Sequence, residues 1–523
     1  MIAGAAALAA ILAVLAAAAA GLLVAAGDLP AVPWGYVRGI VGFTLVQAGL
    51  STALSVGLGA AVALALARRA RFPGRGLVLA LMDLAFVLPA VVVIFGVVAV
   101  WGRSGLLGDL GALAGLSIGR WLYGLPGILI AHTAFNAPFA ARVFLAALEA
   151  VPAEHWRLAS HLGMGGGAVF RLIDRPVLLR EAPGVAGFVF LLCFTSFPVV
   201  LALGGGPGTA TLEVAIYEAI RSEADFGRAA VLAAVQIAAC LVLVGLLAAA
   251  ERRPAETGES GWRQPRTDTG IAGLRLFDAV VLAGGAVVVV LPIAAVAASG
   301  AAAVASLAAP AVLRALATSL AIAVPASLLS VALAFALATL ARGLRLDRGR
   351  RRLAQGVRLA GFVTLVVPPF ALAAGLFVAI RPIADPFSLG GPMIVLVNAL
   401  VALPYAIRRI EPPLMLAGER YGRLAASLGI RGLDRLRLVD APLVRPAVAT
   451  ALAIAGVLSF GDLGVAAFFG TGNLVTLPVL LYQRLGSYRM DEAAAIALLL
   501  AAVALAGFLV ARRLGGGLDA RPL

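Results

Sequence analysis

Long apolar runs, separated by short stretches that carry most of the charges, dominate the chain. A helix that crosses a bilayer needs about 20 mostly apolar residues. Runs of this kind predict an all-α polytopic membrane protein with about 12 transmembrane helices, at residues 2–26, 41–67, 77–101, 124–148, 184–203, 229–250, 278–300, 314–341, 359–380, 391–411, 446–469 and 492–511. The first run lacks a basic segment before it and is longer than a signal-peptide core, so we interpret it as a retained span.

The overall composition excludes a soluble enzyme. Of the 523 residues, 62% are hydrophobic and only 13% are charged, and the mean hydropathy is +1.04. An ordinary soluble domain has about 25% charged residues. Both cysteines, Cys193 and Cys240, lie in apolar runs, which is typical of small buried side chains rather than of a disulfide. The three histidines are too dispersed to predict a metal site.

All 41 basic residues are arginines, and the lack of lysine excludes two kinds of chemistry. A P-loop needs a lysine that reaches the nucleotide phosphates, and a Schiff base needs a lysine amine. The chain is therefore predicted neither to bind ATP by a P-loop nor to use pyridoxal phosphate. Together with the membrane segments, which indicate a transport role, this leads us to expect that it is not an enzyme in its own right and holds no cofactor. If ATP drives transport, the ATPase is a separate polypeptide.

The arginines are distributed unevenly between alternate loops. The loops after the second, fourth, sixth, eighth and tenth spans, together with the C-terminal tail, hold 31 of the 41. Because an excess of arginine marks the cytoplasmic side of a membrane, both termini are predicted to face the cytoplasm. The net charge of +15 is then an orientation signal and does not indicate nucleic-acid binding.

The chain contains an internal repeat with an offset of 266 residues. Residues 127–204 align without a gap to residues 393–470, with 19 identities in 78 positions, ten of them between 157–176 and 423–442. Matches concentrated in a charged loop do not arise from a shared bias towards alanine and leucine. We therefore predict two duplicated six-span halves in parallel orientation, at residues 1–250 and 278–523, joined by a cytoplasmic linker at 251–277.

The repeated loops, residues 150–183 and 416–446, share a pattern that predicts a short cytoplasmic helix in each half. An apolar pattern at helical spacing ends at a glycine, which permits a left-handed turn. An aspartate follows, two residues before a proline that can open the next helix. The residues that make up this pattern are Arg157, Ala159, Gly163, Asp174 and Pro176 in the first half and Arg423, Ala425, Gly429, Asp440 and Pro442 in the second.

The spacing of these residues resembles the "EAA" loop of ABC importer permeases, although Arg157 and Arg423 stand where that family has its glutamate. In that family the loop forms a coupling helix that docks on the ATP-binding subunit. Leu203–Ile220, Phe135–Met164 and Leu485–Arg489 further resemble the thiamine-transport permeases of bacterial ABC importers. The resemblance implies a type I importer permease fold in the bacterial inner membrane, two copies of an ATPase, and a periplasmic protein that delivers thiamine and its phosphates.

Two alternatives remain open at this point. Fused permeases for iron(III) share the architecture and parts of the loops. An ion-coupled secondary transporter of twelve spans would need a relay of carboxylates inside the membrane, for which Asp83 and Asp462 are the available residues, and it would have no use for paired coupling loops.

Polar residues inside apolar spans are costly and often functional, so they are the candidates for the substrate path. They are His132, Asn136, Ser196, Asn398 and Asp462. Asp462 aligns with Ser196 in the repeat and has two interpretations. Its carboxylate attracts a cationic thiazolium, or it has a structural role, in which it caps a broken helix beside Gly461 and Gly464 or pairs with an arginine. His132 and Asn398, also equivalent in the repeat, favour interhelical hydrogen bonds.

A second set of residues, in loops predicted to lie outside the membrane, is the candidate contact with a substrate-binding protein. It consists of Gly205, Gly206, Glu213, Glu218 and Arg489. Exposed charges of this kind are also typical of a merely solvated face, so the resemblance, and not the charge pattern, favours partner contact here.

Overall fold

The computed structural model describes residues 2–27, 34–103, 105–113, 120–250, 266, 268–430 and 432–514. Within these residues the chain is almost entirely helical and forms no named strand. Eleven helices are long and apolar enough to cross a membrane, and a twelfth apolar helix, Pro369–Ile380, is shorter. The predicted fold class, a polytopic bundle of about 12 membrane helices, is thereby confirmed.

The first half contributes twelve α-helices. They are α1 (Ile2–Gly27), α2 (Trp34–Arg68), α3 (Arg75–Val87), α4 (Ala90–Trp101), α5 (Leu106–Leu113), α6 (Leu125–Glu149), α7 (Ala153–His161), α8 (Gly166–Val169), α9 (Arg175–Phe194), α10 (Pro198–Leu203), α11 (Leu212–Arg221) and α12 (Phe226–Ala250). Most of the predicted linker, 251–277, lies outside the described residues, which there include only Arg266 and 268–277.

The second half contributes ten α-helices among its described residues. They are α13 (Ala272–Ala302), α14 (Pro310–Arg342), α15 (Arg351–Phe362), α16 (Pro369–Ile380), α17 (Gly390–Ser427), α18 (Gly432–Arg435), α19 (Ala441–Phe460), α20 (Gly464–Phe469), α21 (Leu477–Gly486) and α22 (Met490–Leu514).

Two predicted spans are divided by proline. The span predicted at 77–101 is α3 followed by α4, with a break at Pro89, and the span predicted at 359–380 is the end of α15 followed by α16, with a break at Pro368. Proline disfavours the helical conformation of the residue before it, and Leu88 is accordingly extended, with ψ 138°. Hydropathy alone predicts one uninterrupted helix at each place, and this was wrong.

The spans predicted at 184–203 and 446–469 are interrupted as well. The first is the end of α9 followed by α10, and the second is α19 followed by α20. The interruptions fall at Thr195–Phe197 and Gly461–Leu463, which are equivalent positions of the repeat. Both halves therefore bring a short stretch of non-helical backbone into an otherwise apolar segment, with two polar side chains in the first half, Thr195 and Ser196, and one in the second, Asp462.

The contacts divide the described residues into two compact units. One unit contains α1, α11 and most of the second half, and within it α1 packs against α14 and α16. The other contains α2 to α10 and α13, and within it α13 packs against α4. The first helix of each half thus belongs to the unit formed mainly by the other half, so packing does not follow the repeat boundary.

Small residues bring α1 and α16 into backbone contact. A Cβ atom added at Gly21 would overlap the carbonyl oxygen of Gly375, and one added at Gly375 would overlap that of Ala18. Close approach through small residues is a common way for helices to associate in membranes, where the hydrophobic effect gives no drive for association. We infer that the two glycines set the spacing of these helices.

We expect Gly375→Leu to lower the unfolding temperature measured in detergent by several degrees. The added side chain has to displace the α1 backbone, and overpacking of this kind costs about 1–3 kcal/mol. Gly57→Leu is the matched control, because Gly57 lies in α2 with open space around its Cβ position. Equal melting temperatures of the two variants would contradict this account of the α1–α16 contact.

Candidate functional site

Each repeated loop contains a helix that ends in a left-handed glycine. In the first loop Gly163 has φ +59°, its N–H donates to the Ser160 carbonyl at 3.1 Å, and Met164 N–H donates to the Ala159 carbonyl at 2.9 Å. This pair of bonds is a Schellman motif, which satisfies carbonyls at the end of a helix. The helix stop expected from the sequence at Gly163 is therefore confirmed.

The second loop repeats this geometry. Gly429 has φ +70°, and the N–H groups of Gly429 and Ile430 donate to the carbonyls of Ala426 and Ala425 at 3.2 Å and 2.9 Å. Duplicated sequence has therefore preserved the same turn, hydrogen bond for hydrogen bond.

The two loops differ in how they connect to the preceding membrane helix. In the first half α6 ends at Glu149, and the short helix α7 begins after Pro152. In the second half α17 continues without interruption to Ser427. The residue aligned with Pro152 is Gly418, which does not force a break. The expectation of a separate short helix in each half was therefore wrong for the second half.

The helix faces agree between the loops. Ala159 and Ala425 are buried, whereas the leucines on either side of each, Leu158, Leu162, Leu424 and Leu428, are between 56% and 67% exposed. Arg157 and Arg423 are exposed as well. Each loop therefore packs inward through alanine and presents leucine and arginine outward.

A wide helical turn follows each loop and leads into the next membrane helix. The turns are π-helical, at Phe170–Asp174 and Leu436–Asp440. In the first, Arg175 N–H donates to the Phe170 carbonyl, five residues back. Pro176 and Pro442 occupy the first turn of α9 and α19, where their missing N–H is accommodated by the wider turn. The prolines mark the expected helix starts, but each helix is joined to the turn before it.

The aspartates of the pattern are buried in ion pairs. Asp174 Oδ2 lies 2.7 Å from Arg266 Nη2, and Asp440 Oδ1 lies 2.7 Å from Arg342 Nη1. The exposed fraction of these four side chains is at most 8%. The two aspartates therefore do not face a partner, and any part they take in coupling is that of positioning residues.

In the first half, the polar candidates of the spans form an interhelical network. His132 Nδ1 lies 2.9 Å from Ser51 Oγ, and His132 Nε2 lies 2.9 Å from Ser196 Oγ. Asn136 Nδ2 donates to Cys193 Sγ at 3.4 Å, while its Oδ1 is buried without a hydrogen-bond partner among the described residues. His132 thus joins α2 and α6 to the break after α9, in line with the interhelical bonds expected of it.

Sequence reasoning missed two polar residues of α2 in this network, Ser51 and Gln47. Gln47 in α2 is fully buried, donates from Nε2 to the Cys193 carbonyl at 2.8 Å, and leaves its Oε1 unpartnered within the described part of the chain. The signal was present in the sequence, because glutamine inside an apolar span is as costly as the other candidates.

In the second half, Asn398 makes an interhelical hydrogen bond and Asp462 makes local ones. Asn398 Nδ2 donates to Ser459 Oγ at 3.0 Å. The carboxylate of Asp462 accepts hydrogen bonds from the N–H groups of Val465 and Ala466 at 3.3 Å and 3.1 Å. Asp462 therefore caps the first turn of α20, as its second interpretation expected. It remains partly exposed.

The residues predicted to meet a binding protein do not all lie at the surface. Gly205 and Gly206 form an exposed turn with φ +76° and +142°, and Arg489 is exposed and pairs with Glu492. Glu218 is partly buried. Glu213 is 1% exposed and accepts a hydrogen bond from Gln236 Nε2 at 2.7 Å. Its predicted contact with a partner was wrong for this structure, since α11 turns it inward.

Burial also changes the protonation of Glu213. Removal from water raises the pKa of this carboxyl to about 8, although the hydrogen bond from Gln236 acts in the opposite direction. Glu213 is therefore largely neutral at pH 7, which agrees with its position away from solvent.

Comparison with known proteins gives consistent matches along the chain. The family model described as "Binding-protein-dependent transport system inner membrane component" matches residues 53–255 and 343–522. The chain is 42% identical over 507 residues to the thiamine transport system permease protein ThiP of Brucella abortus (strain 2308), covering 96% of this chain and 92% of that protein. It is 39% identical over 486 residues to ThiP of Escherichia coli (strain K12), covering 92% and 90%.

The family match falls on both halves and includes both repeated loops. The relatives are named as transport permeases, a role without covalent chemistry. The chain therefore belongs to the family of binding-protein-dependent transport system inner membrane components, and it is a polytopic transport permease rather than an enzyme.

Proposed function

We propose that the chain is the membrane subunit of an ATP-driven ABC importer for thiamine and its phosphates. Two copies of a separate ATPase dock on the loops 150–183 and 416–446, and a periplasmic binding protein delivers the substrate. Identities of 39–42% to proteins named as thiamine permeases, over nearly the whole chain, support the substrate class. The observation that carries the ATPase part is the duplicated loop geometry, with its matching glycine turns and outward leucines.

The exposed leucines give each loop an apolar docking surface. We define it as Leu158, Leu162 and Leu172 in the first half and Leu424, Leu428 and Leu438 in the second, all more than half exposed. Leu172 and Leu438 lie in the π-helical turns, which lead directly into α9 and α19. If the ATPase displaces a docking surface, the displacement reaches the cytoplasmic end of α9 or α19. This supports a mechanism in which nucleotide binding rocks the two halves of the permease against each other.

The orientation of the chain is part of the proposal. The arginine-rich loops, which include both docking surfaces, and both termini face the cytoplasm of a bacterial inner membrane. An ATPase reaches the docking surfaces only in this orientation, so the charge distribution and the docking model support each other.

The substrate path is proposed to run along the interrupted helices. Asn136 offers a buried amide oxygen that no described group satisfies, and Asp462 offers a carboxylate at the break between α19 and α20 that retains partial exposure. Each of these groups by itself, a hydrogen-bond acceptor in one unit and an anion in the other, suits a cationic heterocycle that carries an amino group. His132, Ser196 and Asn398 support the path by holding the helices around these breaks.

We expect Leu158→Glu with Leu162→Glu to weaken association with the ATPase subunit. Burying a leucine contributes about 1.5–3 kcal/mol, so the loss corresponds to about tenfold or more in affinity, measured by pull-down with the tagged ATPase. Ile383→Glu is the control, since Ile383 is 87% exposed in the loop between α16 and α17, on the opposite predicted side. Equal retention of the ATPase by both variants would contradict docking at the first surface.

We expect proteoliposomes that contain the chain, its ATPase and its binding protein to accumulate labelled thiamine only with ATP on the ATPase side. Uptake of iron(III) in place of thiamine would retain the importer and reject the substrate. Accumulation without any ATPase would reject the ATP-driven importer itself.

We expect Asp462→Asn to reduce thiamine uptake about tenfold while leaving the melting temperature nearly unchanged. Asparagine still caps a helix but removes the charge that attracts a cation. Asp462→Ala, which removes both functions, should lose stability as well as uptake. Undiminished uptake by Asp462→Asn at equal expression would leave Asp462 with the capping role alone.

A further inference from the structure

Arg266, from the segment that joins the two halves, is buried beside the first repeated loop. Its side chain is 7% exposed. Nη1 and Nη2 donate to the two carboxylate oxygens of Asp174 at 3.1 Å and 2.7 Å, a bidentate pair. Nε and Nη2 also donate to the carboxylate of Asp268 at 3.0 Å and 2.9 Å. One guanidinium therefore pairs with two carboxylates that are almost fully buried.

The same guanidinium also contacts α7. It lies 4.6 Å from the ring centre of Trp156, which is within the range of a cation–π interaction. Trp156 is 7% exposed and immediately precedes Arg157 in α7. Arg266 thereby connects the short helix α7 to Asp174, the last residue of the turn that leads into α9.

In the second half, a different arginine pairs with the buried aspartate. Asp440, the counterpart of Asp174, pairs with Arg342 at the end of α14. The corresponding helix in the first half is α2, which ends at Arg68, but Arg68 donates to Asp278 of α13 at 2.6 Å. Arg69 donates to the same carboxylate at 2.8 Å. The arginine at the end of the corresponding helix is thus engaged elsewhere, and Arg266 of the linker pairs with Asp174 instead.

The difference in chain path explains why the first loop needs this connection. The outward leucines of the second loop are carried on α17, which is continuous with its membrane helix. In the first half α7 is separated from α6 by the break at Pro152. A helix of nine residues with no continuous neighbour is marginal by itself, and contacts from outside have to fix it.

We propose that Arg266 is a positioning residue of the first coupling loop, so that the linker is part of the coupling apparatus and not only a tether. It fixes α7 against the π-helical turn before α9, and thereby transmits displacement of the first docking surface to α9. The proposal rests on the proposed docking of an ATPase for its functional consequence, but its structural content is independent of that docking.

The experiment compares Arg266→Gln with Arg275→Gln in the full-length permease. Arg275 belongs to the same segment but is exposed, and its Nε reaches only the Thr269 carbonyl at 3.4 Å. We expect Arg266→Gln to raise amide hydrogen exchange in 153–164 at least about tenfold and to lower the thiamine transported per ATP hydrolysed about tenfold, because α7 loses the ion pair and the cation–π contact that hold it. Arg275→Gln should leave both measurements unchanged.

A conservative exchange separates loss of the cation from a general loss of structure. Arg266→Lys keeps a positive charge beside Asp174 and Trp156, and should therefore keep amide exchange in α7 slower than it is in Arg266→Gln. If Arg266→Gln does not reach the membrane, Arg266→Gln with Asp174→Asn and Asp268→Asn removes the unpaired carboxylates and should express with a loosened α7. Unchanged exchange in α7 in that variant, or in Arg266→Gln, would overturn the proposal.

Hydrogen exchange and uptake, measured together, test the structural role of Arg266 separately from the proposed importer function. Fast exchange in Arg266→Gln without any ATP-dependent uptake by the unmodified protein would reject the proposed importer function and retain the structural role of Arg266. Slow exchange in Arg266→Gln, together with full ATP-dependent uptake by the unmodified protein, would reject the structural role of Arg266 and retain the importer function.

Discussion

Hydrogen bonding of the backbone in a medium without water is the constraint on which the rest of this structure depends. In hydrocarbon each unsatisfied N–H or C=O costs several kcal/mol, so a helix is interrupted only where something replaces its internal bonds. At the break between α19 and α20 the carboxylate of Asp462 accepts the N–H groups that begin α20. At the starts of α4 and α10 the residues are Pro89 and Pro198, which have no backbone N–H. No donor is therefore left without a partner at these two positions. The interruptions are therefore places where polar groups are both required and tolerated.

Ion pairs have a similar role at the base of the helices. Asp174 and Asp440 are equivalent in the repeat and equally buried, and a buried carboxylate without a cation is strongly unfavourable. Both halves have kept the aspartate and therefore both need a cation beside it. The arginine that supplies the cation differs: it is Arg342, in a membrane helix, for Asp440, and Arg266, in the connecting segment, for Asp174. Fusion of two halves into one chain makes such an exchange possible, because the linker is then always present at the site.

The sequence predicted local features well and long-range pairing poorly. Hydropathy located the membrane segments, and the left-handed turns at Gly163 and Gly429 followed from glycine at a helix end. The division of the span at 359–380 was missed because hydropathy averages over the proline that causes it. The burial of Glu213 depends on Gln236, and the role of Arg266 depends on Asp174, 92 residues earlier. No periodicity encodes contacts of that kind, so they emerge only from the folded chain.

The two repeated loops present similar leucine surfaces but are connected differently to the membrane helices. In the second half Leu424 stands on α17, the helix that continues from the membrane segment, so under the proposed docking the helix itself would transmit force. In the first half Pro152 breaks that continuity, and Trp156, Arg266 and Asp174 form a non-covalent joint in its place. A charged joint of this kind is sensitive to substitution of a single residue, whereas a continuous helix distributes strain along its length. If an ATPase docks on both loops as proposed, similar surfaces do not imply equal transmission, and the first loop is where a single substitution would change coupling most easily.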